Sequence, residues 1–218
     1  MTPDESLEIT WYGQSMFAIS GGGMTIVLDP MPPEVGYRYE PIAADAVLVS
    51  HGHFDHSFLA GVTGDPRVFD TSGPLDLDGL VITGIDSFHD GSRGKERGSN
   101  VVFTWEQAGF HLAYLGDLGD PSDIAALDIL RCLDVAMMPV GGIYTIDGEQ
   151  AARLAAVLSP AVVIPMHYGT PDCVIPLDPI DGFESAFSGP VRAVAERPLV
   201  ITRDSMPMAT EAWIVPYR

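Results

Sequence analysis

Apolar residues fall in short runs through the first half of this chain. They predict strands at residues 7–11, 16–20, 25–28, 46–50, 80–88, 100–105 and 110–115. The second half alternates between two kinds of pattern. Residues 122–131 and 148–158 have helical character, 134–138 and 161–165 look like buried strands, and strand character returns at 192–195 and 199–202. Gly21-Gly22-Gly23 lies between two strand-like stretches and predicts a hairpin turn, because glycine tolerates positive φ. Asp147, followed three residues later by Gln150, predicts a capping box at the start of the second helix. Antiparallel hairpins followed by αβαβ units predict two sheets with helices outside. No Ser/Gly- or Pro-rich linker divides the sequence, so residues 1–218 are expected to form a single domain.

Against this pattern, His51-Gly52-His53-Phe54-Asp55-His56 stands out. Three imidazoles and a carboxylate in six positions are hard to explain as packing. His51 and His53 are two apart and project from the same side of extended backbone. Asp55 and His56 follow, where a turn can aim them at a second point. The apolar run 46–50 leads into the motif, and ligands at the end of a rigid strand are well placed for a metal site. Three more ligand-type residues follow strand-like runs: His89 after 80–88, Asp117 after 110–115 and His167 after 161–165. Together they make five histidines and two aspartates, enough for two metal ions with positions left for water.

Composition narrows the picture. Of 218 residues, 46% are hydrophobic and 19% charged, which supports an ordinary globular core. No apolar run approaches the ~20 residues of a membrane span. Met1-Thr2-Pro3-Asp4-Glu5-Ser6 is acidic and polar, unlike a secretory signal, and two cysteines make no disulfide framework, so a cytoplasmic location is expected. Cys132 reads as core; Cys173 reads as packing, with a ligand role as the alternative. The net charge of −19 argues against nucleic acid and anionic membrane as partners and leaves a small-molecule substrate; it says nothing of oligomeric state. Yet Arg93, Lys95 and Arg97 place three of the eleven basic residues in five positions just after His89. They form either a solvated loop braced by Arg97 and Asn100 or a contact for an anionic substrate.

The intact His-x-His-x-Asp-His signature, with the later His, Asp and His in order, resembles the metallo-β-lactamase superfamily. The stretches SFHDGSRGKERGSN, LAYLGDLGD, MMPVGGIYTID and VVIPMHYGTP resemble its small zinc-dependent hydrolases related to ascorbate-6-phosphate lactonases. The resemblance implies an α/β fold, a four-layer αββα sandwich of two mixed sheets with helices on the outer faces. It implies two divalent metal ions, zinc first, with manganese or iron as alternatives. His51, His53 and His89 would hold the first ion, Asp55, His56 and His167 the second, and Asp117 would bridge them. Asp29 would steady the ligand loop. His111 matches no ligand position. The implied activity is hydrolysis of a small anionic ester, lactone or phosphoester by a hydroxide held between the ions. Asp55 and Asp117 would be the catalytic carboxylates, and Arg93, Lys95 or Arg97 the substrate contacts. Tyr144 and Tyr168 are candidate proton donors, with packing as the competing role. Other readings are a di-iron redox protein or a non-catalytic metal or ligand sensor. Secreted β-lactamase, thioesterase and tRNA nuclease activities fit less well.

Overall fold

A computed structural model describes residues 6–124 and 127–217. In chain order the elements are β1 (Ser6–Gly13), β2 (Met16–Gly21), β3 (Met24–Leu28), β4 (Ile42–Ala43), β5 (Ala46–Leu48), β6 (Val62–Thr63), β7 (Arg67–Phe69), β8 (Gly73–Leu77), β9 (Leu80–Phe88), β10 (Ser99–Gln107), β11 (Phe110–Tyr114), β12 (Val135–Pro139), α1 (Gly148–Leu158), β13 (Val162–Met166), α2 (Asp181–Ala186), β14 (Val191–Ala193), β15 (Leu199–Thr202) and β16 (Glu211–Ile214). One sheet runs β15-β1-β2-β3-β5-β7 and the other β14-β16-β13-β12-β11-β10-β9-β8, with a short β4-β6 pair beside them. Both large sheets are mixed. The β1-β2-β3 and β8-β9-β10-β11 segments are antiparallel meanders, whereas β3-β5-β7 and β11-β12-β13 pair in parallel.

The period of two in the strands builds the layers. Phe17, Ile19, Ile26, Leu28, Ala46 and Leu48 join the main core with the second sheet. Their alternate neighbours Met16, Ala18, Val27, Val47 and Val49 join a second core on the opposite face. Strands buried on both faces need a cover on each side. Over the second sheet that cover is helical. The capping box forms as expected: Gln150 N donates to Asp147 Oδ1 at 2.7 Å and Asp147 N to Gln150 Oε1 at 3.0 Å. The helix α1 then buries Ala151, Leu154, Ala155 and Leu158. Over the first sheet the cover is Met31, Val35, Tyr37, Ala44 and Val62, carried on loops, a 3-10 turn and the short strand β6. Pro30, Pro32, Pro33 and Pro41 explain why no long helix forms there, since proline breaks helix interiors.

The β2–β3 hairpin turns at Gly22 and Gly23 with φ of 60° and 79°, the doubly left-handed loop that glycine permits. The expected helix over 122–131 is not found among the described residues. Pro121–Asp123 and Asp128–Leu130 are separate 3-10 turns, and residues 125 and 126 lie outside the description. Asp120 caps the first turn by accepting from Ser122 N, and Leu127 is extended between them. The core reading of Cys132 is therefore corrected: it is exposed, at a φ of 56°. The strands β7, β8 and β16 escaped the hydropathy pattern. Of these, β16 pairs with β13 and β14 and buries Trp213 at 2% exposure, so the apolar Trp213-Ile214-Val215 stretch closes the second sheet. No helix of the described residues is long and apolar enough to cross a membrane.

Two glycines let loops pass close to histidine backbone. A Cβ on Gly119 would lie 2.3 Å from Asp90 N and 2.4 Å from His89 C; one on Gly141 would lie 2.0 Å from His167 O. Gly141→Ala is expected to cost about 1–3 kcal/mol by overpacking, read as a lower urea midpoint at unchanged slope. An unchanged midpoint would mean that the two backbones are free to separate.

Candidate metal centre

The seven ligand-type residues all follow strand ends and meet at one edge of the sandwich. His51, His53, Asp55 and His56 leave β5, His89 leaves β9, Asp117 leaves β11 and His167 leaves β13. Their atoms form two triads that could each hold a metal ion, His51/His53/His89 and Asp55/His56/His167. Asp117 sits between them. Its Oδ2 lies 3.1 Å from His89 Nε2, 3.2 Å from His56 Nε2 and 3.2 Å from His167 Nε2. His51 Nε2 and His53 Nδ1 are 3.0 Å apart, and Asp55 Oδ2 is 3.5 Å from His56 Nε2.

Asp29 organises this edge from below. It ends β3 at a φ of 39° and is fully buried. Its Oδ1 accepts Ser50 N at 2.6 Å. Its Oδ2 accepts Ser50 Oγ at 2.5 Å, His56 Nδ1 at 2.6 Å and Tyr114 OH at 2.7 Å. Those bonds fix the imidazole tautomers. The single Ser50 hydroxyl proton goes to Asp29, so Ser50 Oγ, 2.9 Å from His51 Nδ1, accepts from it. His56 Nδ1 likewise donates to Asp29. In both rings the neutral form then carries its lone pair on Nε2, aimed into the cluster.

Lone pairs and carboxylate oxygens that converge this closely require a positive charge among them. Burial and the neighbouring His56 hold His51 down at about 2, against the pull of Asp117, so His51 stays neutral. Burial, then His89, also lowers His53. For His56, burial disfavours the charged ring, but Asp117 and Asp29 outweigh it and raise its pKa well above the ordinary value. Burial likewise opposes ionisation of Asp117, yet His167 and His56 hold it well below the usual carboxylate range. The cluster thus takes either a proton on His56 or a metal cation. A donor set of imidazole nitrogens and carboxylate oxygens fits divalent zinc, manganese or iron. The Nδ1 atoms of His89 and His167 are buried without a protein partner among the described residues, so Asp117 and packing orient those two rings.

Gln14 belongs to this cluster and was not among the expected residues. It is fully buried in the turn between β1 and β2, at a φ of 46°. Its Oε1 accepts Ser15 N at 2.6 Å, which turns Nε2 toward Asp55 Oδ2 at 3.0 Å and His56 Nε2 at 3.0 Å. Its carbonyl accepts His167 N at 2.9 Å. In the sequence it resembles any polar residue in a hairpin turn. Asn100 supports Asp117, accepting its N–H at 2.9 Å, rather than the basic loop. That loop is held by Asp90, whose carboxylate accepts from the N–H groups of Ser92, Gly94, Glu96 and Arg97. Desolvation opposes the charge on Asp90, but those four donors prevail and keep it at about 2.

A cavity of about 550 Å³ opens over the cluster, bordered by His53, Asp55, His89, Asp117 and His167. The three basic candidates separate here. Arg97 borders the cavity, with its guanidinium 5.5 Å from the Tyr144 ring centre and Nη2 3.3 Å from Ile143 O. Arg93 stacks 5.2 Å from the Phe88 ring centre and borders a different depression, beside Asp86 and Ser122. Lys95 is exposed and lines neither. Asp90 closes the loop through its backbone and so points the three side chains in different directions. Tyr144 borders the cavity, whereas Tyr168 is buried 5.2 Å from the Trp11 ring. Burial raises the Tyr168 hydroxyl far above the ordinary tyrosine value, which fits a packing role. His111 lies on β11 with Nε2 3.0 Å from Thr104 Oγ1, outside the cluster. Cys173 packs against the second core, its Sγ 3.6 Å from Ile175 O.

Residues 8–167, from β1 through the last histidine of the cluster, match the family model of the β-lactamase superfamily domain. A metal-dependent hydrolase of Nitratidesulfovibrio vulgaris is 31% identical over 194 residues, covering 74% of this chain and 80% of the relative. A metal-dependent hydrolase of Thermoplasma acidophilum is 30% identical, with 78% of this chain and 87% of the relative covered. Among solved structures, a Thermotoga maritima protein assigned as a zinc-dependent hydrolase superposes with a TM-score of 0.76 at 33% identity, covering 96% of this chain and all of that one. Fold, cluster and relatives converge: the chain belongs to the metallo-β-lactamase superfamily.

Proposed function

We propose that this chain is a metal-dependent hydrolase that holds two divalent metal ions and cleaves a small anionic ester, lactone or phosphoester. The observation that carries this reading is the position of Asp117 Oδ2, within 3.2 Å of Nε2 atoms on three histidines, between two triads of ligand atoms. His51, His53 and His89 would hold one ion, Asp55, His56 and His167 the other, with Asp117 shared. Zinc is the first choice for this donor set, with manganese and iron also compatible.

The ions would supply Lewis acidity that acidifies water and takes up negative charge from the scissile group. The protein's part is positional. Asp117 and Asp55 fix the spacing of the two triads, and Asp55, held at Oδ2 by Gln14, receives the proton of the attacking water. Asp29 orients His56 directly and His51 through Ser50, which keeps both Nε2 lone pairs turned into the cluster, where the ions would be held. Arg97, on the cavity wall, engages an anionic part of the substrate.

Protein purified without added metal is expected to carry close to two metal ions per chain by elemental mass spectrometry and to turn over esters, lactones or phosphoesters. Chelation is expected to abolish that turnover and metal restoration to recover it. Absence of metal after incubation with zinc, manganese and iron would overturn the reading. Asp29→Ala removes a buried partner of His56 and is expected to cost roughly 3–5 kcal/mol of folding stability. It should also weaken metal retention about 10- to 100-fold in a competitive chelator titration. Full retention would show that Asp29 has no part in orienting the ligands. Arg97→Ala should raise KM for anionic substrates at least tenfold and leave neutral ones unaffected. Equal changes for both would remove Arg97 as an anion contact.

A further inference from the structure

The rest of the lining of the cavity over the ligand cluster is mainly apolar. Phe54, Tyr144, Val174, Ile175 and Pro176 line it, with Arg97 at its edge. Two of these side chains are large hydrophobic groups left in water, Phe54 at 63% exposure and Val174 at 68%. Ile143, whose carbonyl holds Arg97, is 50% exposed beside them. They stand on separate segments of the chain. Exposed apolar side chains gathered at a cavity mouth mark a surface that ligand covers. Arg97 is the one lysine or arginine among the described residues that border this cavity. Its guanidinium rests on a ring face and a backbone carbonyl, and neither neutralises it.

From this arrangement we infer that the substrate is an amphiphilic monoanion: an ester or lactone with an alkyl or aryl body seated on Phe54, Val174 and Ile175, and one anionic group held by Arg97 away from the scissile bond. The inference rests on the hydrolase reading above and narrows its substrate class. Hydrolysis adds water across the acyl C–O bond. The C–O bond to the leaving oxygen breaks, a new C–O bond forms from water, one water proton passes to the leaving alcohol and the other is released as the acid ionises. A highly polar sugar phosphate would leave the apolar wall in water and fits this cavity less well.

The test uses n-alkyl sulfonates from methyl to octyl on the metal-loaded protein, measured by calorimetry against n-alkanols of equal length. Sulfonates are monoanions that coordinate metals weakly, so their charge reports on Arg97 and not on the metal ions. Affinity is expected to rise about threefold per methylene until the wall is covered, with sulfonates binding at least tenfold tighter than alkanols. Arg97→Ala should erase the sulfonate advantage and keep the dependence on length. Phe54→Ser and Val174→Ser, at exposed positions that tolerate substitution, should flatten the dependence on length and keep the advantage. Affinity independent of length, or an Arg97→Ala variant that retains the sulfonate preference, would overturn the inference. Because binding is read without turnover, failure here is distinct from failure of the hydrolase reading, which metal content and chelation decide.

Discussion

The buried carboxylate of Asp29 is the constraint on which the candidate site depends. It lies at the end of β3 and accepts four hydrogen bonds, from two groups of Ser50, from His56 and from Tyr114. Through these bonds it ties the first sheet, the histidine loop and the second sheet to one point. A buried carboxylate is tolerable only when its lone pairs are filled. The filling of those lone pairs also decides which imidazole nitrogens face the cluster. The same bonds that satisfy Asp29 therefore leave Nε2 of His51 and His56 exposed to a cation.

The edge of the sandwich is built so that strand ends deliver the ligand-type residues while small residues let the loops approach. Gly119 passes against His89 and Gly141 against His167. Asn100 holds Asp117 by its N–H, and Gln14 holds Asp55 by its side chain and His167 by its carbonyl. The β1–β2 turn thus holds two of these residues, Asp55 and His167, while β10 holds Asp117. These contacts anchor the cluster to the two packed sheets, the kind of support a functional site needs.

Much of this was legible in the sequence, and the reason differs from element to element. The helix α1 was readable because Ala151, Leu154, Ala155 and Leu158 recur at helical spacing and the Asp147–Gln150 cap marks its start, and β9 from its run Leu80-Val81-Ile82 with Ile85. The cluster was readable because His51, His53, Asp55 and His56 crowd into six positions; His89, Asp117 and His167 stood out only as members of the whole set and through the family resemblance. The short strands β7 and β8 were not: Arg67–Phe69 owes its conformation to parallel pairing with β5 across an intervening loop, and Gly73–Leu77, the hairpin partner of β9, carries Gly73, Pro74 and Asp76, which mask a strand pattern. The helix expected over 122–131 gave way to turns set by Pro121 and the Asp120 cap. Gln14 was hidden because an uncharged amide in a hairpin turn has no sequence signature; only its 3.0 Å approach to Asp55 reveals it. In the basic loop, whose backbone Asp90 gathers into a tight turn, Arg97 borders the cavity while Arg93 borders another depression, a difference the sequence does not carry.

The central claim is that Asp117 separates two metal positions held by distinct triads. Anomalous diffraction from crystals of the metal-loaded protein, collected on both sides of the metal's absorption edge, tests it most directly. The account predicts two peaks flanking Asp117, one within bonding distance of His51, His53 and His89 and the other of Asp55, His56 and His167. A single peak, or density remote from Asp117, would contradict it.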